Sequence, residues 1–134
     1  MSEGQYTRSP LRSPLGRAIG LGSAKEGVEH WWAQRLSAFA LVSLALWFVA
    51  SVVALAGADR AVFVDWLHHP APAVLMVLLL IALFYHSALG VQVVIEDYVD
   101  NEAARFTLLI VNKLASILLA VLGIYAVLKL SLGA

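Results

Sequence analysis

The chain has 134 residues, of which 61% are hydrophobic and only 13% are charged, and its formal net charge is zero. A water-soluble domain of this length could not bury so much apolar surface, so the composition indicates an integral membrane protein and gives no reason to expect nucleic acid as a partner. Cysteine is absent, which excludes disulfides, thiolate zinc sites and iron–sulfur ligation by this chain.

The N-terminal tail, residues 1–28, carries arginines among serines, prolines and glycines. We expect this tail to be poorly ordered alone. Arginines among serines are also typical of a mitochondrial transit peptide, but Glu3, Glu26 and Glu29 argue against one. The rest of the chain, 29–134, is predicted to form the transmembrane domain.

Three apolar stretches follow, at about 36–56, 72–95 and 106–132. At about 1.5 Å per residue, each is long enough to cross a hydrocarbon core of roughly 30 Å as a helix. The sequence therefore predicts an all-α fold with three transmembrane helices. A secretory signal is an alternative for the first stretch, but its apolar region is too long and begins too far from the N-terminus.

The distribution of basic residues predicts the orientation. Five of them precede the first span, whereas the loop after it holds only Arg60, so the N-terminus should be cytoplasmic. The connection 96–105 is then cytoplasmic, and the connection 57–71 and the C-terminus are outside. A bacterial cytoplasmic membrane is the simpler location, and a mitochondrial inner membrane is the alternative.

His86 lies near the centre of the second span, where an ionisable side chain is costly to bury and therefore suggests a functional site. A structural histidine bonded to a neighbouring helix is one interpretation, and an axial haem ligand is the other. Gly90, Val93 and Asp97 share its helical face. The glycine leaves room for a second helix or for a flat macrocycle.

Asp97 and Tyr98 follow at the cytoplasmic end of this span, in an acidic cluster that a solvated loop would also explain. A phenol at the membrane surface can donate a hydrogen bond to the carbonyl of a quinone, and Asp97 could relay protons. Arg35, at the start of the first span, is either a topological anchor or a partner for a haem propionate, with His30 as a possible helper.

The spans contain a single imidazole, whereas a bis-histidine haem needs two. His68 and His69 lie on the outer connection, where residues 59–69 could form a short amphipathic helix. A second haem ligand would therefore come from another chain, which predicts half of a heterodimeric membrane-anchor bundle. The alternatives are a small transporter or channel subunit that uses His86 and Asp97 for protons, and an anchor without ligands.

Residues 27–132 resemble the D-type hydrophobic membrane anchor subunit of succinate dehydrogenase, respiratory complex II. The resemblance rests on His86-x-x-x-Gly90-x-Gln92-x-x-x-x-Asp97-Tyr98-Val99 and, less specifically, on Arg35-x-Ser37-Ala38. It implies that His86 ligates haem b, that Tyr98 hydrogen-bonds ubiquinone with support from Asp97, and that Arg35 approaches the haem propionates.

The same resemblance implies the partners. They would be a second anchor (cytochrome b) subunit, an iron–sulfur subunit and a flavoprotein subunit. The chain would contribute to succinate-dependent quinone reduction in the electron transport chain and the tricarboxylic acid cycle without being catalytic alone. In family members a histidine precedes the arginine, and His30 is displaced from that position by about one residue.

Overall fold

The computed structural model describes residues 23–133, with side chains from Gly27 onward, and this part of the chain is helical without strands. Four helices make it up: α1 (Ser23–Ala54), α2 (Arg60–His68), α3 (Pro70–Tyr98) and α4 (Glu102–Ser131). The contacts divide the chain into two units, Met1–Trp32 and Ala33–Ala134. The arginines of the N-terminal tail lie outside the described residues.

Local sequence signals set the ends of the helices. Gly57 adopts a positive φ of 82° in the turn after α1, a backbone conformation that glycine tolerates without strain. Pro70 occupies the first turn of α3, where its missing N–H costs no hydrogen bond. Asn101 caps α4, because its side chain accepts a hydrogen bond from the backbone N–H of Ala104 at 3.0 Å.

Three of the helices are long and apolar enough to cross a membrane: Gly27–Ala54 within α1, and the whole of α3 and α4. The prediction of an all-α membrane protein with three transmembrane helices is confirmed. The first helix differs from its predicted span, since it begins at Ser23 and not near Leu36. Residues 23–35 contain no proline and many helix formers, so the helix begins well before the apolar stretch does.

The second and third spans, α3 and α4, pack against each other in antiparallel directions. The side chain of Asn112 donates a hydrogen bond to the carbonyl oxygen of Ala88 at 3.0 Å. Further along, Gly123 faces Leu80, and a Cβ atom at position 123 would lie 3.1 Å from a terminal methyl group of this leucine. The absence of a side chain at position 123 therefore permits the close approach of the two helices.

Helix α2 occupies the segment for which the sequence suggested a short amphipathic helix. It contacts both α3 and α4, and Leu67 is almost completely buried. The imidazole of His68 bonds the carbonyl oxygen of Ser131 through its Nδ1 at 2.8 Å, which ties α2 to the end of α4. The Trp66 ring also stacks on Trp47 of α1, with ring centroids 6.0 Å apart.

Very little of the described chain is buried by the chain itself. The buried apolar residues are Leu67, Ala73, Leu79 and Ile95, whereas most large apolar side chains of α1, α3 and α4 are exposed. An exposed apolar surface of this extent is stable only against lipid or against another apolar protein surface. The exposed apolar faces of these helices are therefore suited to contact lipid or another membrane subunit.

We expect Gly123→Val to destabilise the packing of α3 against α4, because the added side chain would enter the space that Leu80 fills. Overpacking of this kind costs about 1–3 kcal/mol. Gly27→Val is the matched control, since no described atom lies within 4 Å of a Cβ at position 27. Thermal unfolding of the purified protein should show a lower midpoint for Gly123→Val only, and equal midpoints would contradict this packing.

Candidate functional site

His86 lies well inside α3. It precedes Tyr98 by 12 residues, or about 18 Å along the helix axis, and follows Pro70 by 16 residues, or about 24 Å. The side chain is half-buried by the chain's own atoms. An imidazole at this depth is too far from both helix ends to reach bulk water.

The imidazole of His86 contacts α1 through Ser37. The distance between His86 Nδ1 and Ser37 Oγ is 3.0 Å, and Ser37 Oγ also donates to the carbonyl oxygen of Gln34 at 3.0 Å. Ser37 is only 8% exposed and is the one buried polar residue in the described part of the chain. The other ring nitrogen, Nε2, makes no hydrogen bond to any described residue.

Gly90 lies one turn after His86 and faces Gln34 of α1. A Cβ at position 90 would lie 3.9 Å from Gln34 Nε2, an ordinary van der Waals distance, so α1 does not require glycine here. The Oε1 atom of Gln34 is enclosed and has no hydrogen-bond partner among the described residues. That Gly90 leaves room for a bound group stays a prediction.

Arg35 lies within α1, two residues before Ser37, and its side chain is exposed. Because Ser37 bonds His86, Arg35 is within about 3 Å of the level of His86 along α1. The sequence placed Arg35 at the end of the first span, on the membrane surface. In the structure it lies within the longer helix α1, 12 residues after Ser23 and at nearly the level of His86.

His30 belongs to the unit Met1–Trp32 and lies on the N-terminal part of α1. Its Nε2 atom is enclosed, and it has no hydrogen-bond partner among the described residues. An enclosed ring nitrogen without a partner is costly in a folded protein and calls for an explanation. Its role in a haem environment stays a prediction.

Asp97 and Tyr98 form the C-terminal end of α3. Both side chains are exposed, Tyr98 to 82%, and neither makes a hydrogen bond within the described chain. One turn earlier, the side-chain amide of Gln92 donates to the Glu96 carboxylate at 2.8 Å. The phenol and the carboxylate are thus exposed on the surface of the described part of the chain.

The structure brings some of the predicted residues together and leaves others apart. His86, Gly90 and Arg35 lie near one level of α1 and α3, whereas Asp97 and Tyr98 lie about 18 Å away along α3. A groove of about 670 Å³ between α3 and α4 contains none of the predicted site residues. Sequence reasoning missed the contact of Ser37 with His86 of the second span, although Ser37 is a polar residue at the start of the first apolar stretch.

These features define a class: a helical membrane subunit with few internal contacts and a histidine, His86, well inside one of its long apolar helices. A model of the family described as succinate dehydrogenase/fumarate reductase transmembrane subunit matches residues 9–128. Because this match covers most of the chain, the chain belongs to that family. The resemblance to the hydrophobic membrane anchor subunit is confirmed.

Several curated relatives carry the name succinate dehydrogenase hydrophobic membrane anchor subunit. The chain is 39% identical to the one from Rickettsia bellii over 117 residues, which cover 87% of this chain and 94% of the relative. It is 30% identical to the one from Paracoccus denitrificans over 122 residues, which cover 91% and 94%. The similarity thus extends over nearly the whole length of these relatives.

Proposed function

We propose that this succinate dehydrogenase membrane anchor subunit supplies one axial ligand of haem b through His86 and part of the ubiquinone reduction site through Tyr98 and Asp97. The proposal rests on the hydrogen bonding of the two ring nitrogens of His86. Its Nδ1 is bonded to Ser37, while Nε2 makes no hydrogen bond to the described chain at mid-span. A neutral imidazole with one such nitrogen is suited to ligate iron.

The residues around His86 fit a haem. Gly90 has no side chain one turn away from His86, and a Cβ there would be in ordinary contact with Gln34 Nε2, at 3.9 Å. Arg35, at nearly the same depth, carries a permanent positive charge that suits a propionate. Haem b, when bound, supplies a one-electron redox centre.

The second axial ligand would come from another chain. Apart from His86, the histidines are His30, near the N-terminal end of α1, and His68 and His69, around the end of α2, so none lies as far inside a long apolar helix as His86. The exposed apolar surface of α1, α3 and α4 supports a second anchor (cytochrome b) subunit as the neighbour. The flavoprotein and iron–sulfur subunits would supply the electrons from succinate.

The quinone site would likewise be shared between subunits. Tyr98 can donate one hydrogen bond from its phenol to a quinone carbonyl oxygen, and Asp97 can accept and pass on a proton. Both are exposed in this chain, which supports a pocket whose other walls belong to partners. This end of α3 would face the cytoplasm in a bacterial cytoplasmic membrane, with the N-terminus on the same side.

His86→Ala should abolish the b-type absorption of the purified complex, because it removes the ring nitrogen that would bind iron. The control is His69→Ala, which removes an exposed imidazole between α2 and α3. Absorption spectra of the oxidised and dithionite-reduced complex provide the measurement. An unchanged spectrum in His86→Ala would show that this histidine is not a haem ligand.

Tyr98→Phe should slow succinate-dependent quinone reduction by up to about tenfold, because one hydrogen bond to the substrate is lost. The reduction of artificial dyes that accept electrons before the quinone site should be spared. Tyr125→Phe, at an exposed tyrosine of α4, is the matched control. Equal losses in both assays would indicate failed assembly and would remove the support for a quinone contact.

The orientation can be tested directly, because the chain contains no cysteine of its own. Single variants Asp100→Cys and Ala58→Cys place a thiol in each of the connections that follow α3 and α1. A membrane-impermeant thiol reagent applied from the outside should label position 58, and position 100 should react only after the membrane is opened. The reverse pattern would overturn the proposed topology.

A further inference from the structure

Ser37 is the one buried polar residue in the described part of the chain, and its hydroxyl lies between two polar atoms. One is the carbonyl oxygen of Gln34 and the other is His86 Nδ1, each at 3.0 Å. A serine hydroxyl has one proton and two lone pairs. It can therefore donate to only one of these atoms, and the choice determines which nitrogen of His86 carries the proton.

The hydroxyl proton belongs to the bond with Gln34. The carbonyl oxygen is an acceptor only, and the same back-bonding pattern recurs along α1, where Ser43 donates to Phe39 and Ser51 to Trp47. With its proton used in this way, Ser37 Oγ accepts the second hydrogen bond. The Nδ1 atom of His86 is then the protonated nitrogen.

The opposite assignment leaves the site with an unmet donor. If Ser37 donated to Nδ1, the proton of the neutral imidazole would sit on Nε2, which makes no hydrogen bond to the described chain. An N–H group without a partner in a hydrocarbon environment is strongly unfavourable. A protonated Nε2 would also have no lone pair for a metal ion.

We propose that Ser37 is a positioning residue that holds His86 as the Nδ1–H tautomer and so directs the Nε2 lone pair toward the haem iron. This inference rests on the proposed ligation of haem by His86. Because Nδ1–H donates to Ser37, the ring gains electron density, and Nε2 becomes a stronger donor to iron. A stronger donor stabilises the ferric state and lowers the midpoint potential.

The test compares variants of Ser37 in the whole purified complex. Ser37→Ala removes the acceptor and should weaken haem retention by roughly 10–100-fold, shift the midpoint potential to more positive values and change the ferric electron paramagnetic resonance spectrum. Ser37→Thr keeps the hydroxyl and should restore all three properties. Ser51→Ala is the matched control, because Ser51 also back-bonds within α1 but does not contact His86.

Ser37→Cys covers the case in which the alanine variant does not assemble. The thiol has nearly the volume of the hydroxyl group but is a weaker acceptor, so its potential and spectrum should shift in the same direction by a smaller amount. The inference is wrong if Ser37→Ala, or Ser37→Cys where alanine does not assemble, matches Ser51→Ala in haem retention, potential and spectrum.

His86→Ala separates the failure of this inference from the failure of the proposed function. Loss of haem in His86→Ala together with unchanged properties in Ser37→Ala leaves the ligand in place and overturns only the role of the serine. Retention of haem in His86→Ala overturns the ligation itself and the role of Ser37 with it.

Discussion

The hydrocarbon core of a membrane offers no hydrogen-bond partners, and this constraint determines both the fold and the site. Backbone polar groups must be satisfied within each segment, so the three apolar stretches form helices. The polar side chains within them must also find partners in the protein. Ser43 and Ser51 return to carbonyl groups of their own helix, whereas Asn112 and the pair of Ser37 and His86 join different helices.

These two inter-helical hydrogen bonds specify the register of the helices as well as contributing to stability. A hydrogen bond between helices in a membrane contributes only about 0.6 kcal/mol on average. Apolar contacts, however, tolerate sliding and rotation of one helix on another, whereas a pair of polar atoms is satisfied in one register only. Asn112 specifies the register of α4 on α3, and Ser37 specifies that of α1, from Ala33 onward, on α3.

Span number and fold class could be predicted from the sequence because length and apolar composition determine them directly. His86 stood out for the same physical reason, since an isolated polar group in an apolar stretch is visible without a structure. Its partner Ser37 was not predicted, because apolar stretches do not reveal the rotation and offset of neighbouring helices. The start of α1 at Ser23 was missed because helix formation continues past the apolar residues by which a span is recognised. What surrounds Tyr98 could not be predicted from one chain whose own atoms leave it 82% exposed.

The register of α1 on α3 changes how the position of Arg35 is interpreted. A basic residue at the end of an apolar stretch is ordinarily an anchor at the headgroups, and the sequence alone supports that interpretation. If Tyr98 lies at the membrane surface, however, His86 lies about 18 Å below that surface. Ser37 is at the level of His86, and Arg35, two residues before Ser37 on α1, then lies about 15 Å below the surface. The proposed ligation by His86 would bring a haem propionate to about this level, which agrees with the place of Arg35 in the proposed haem environment.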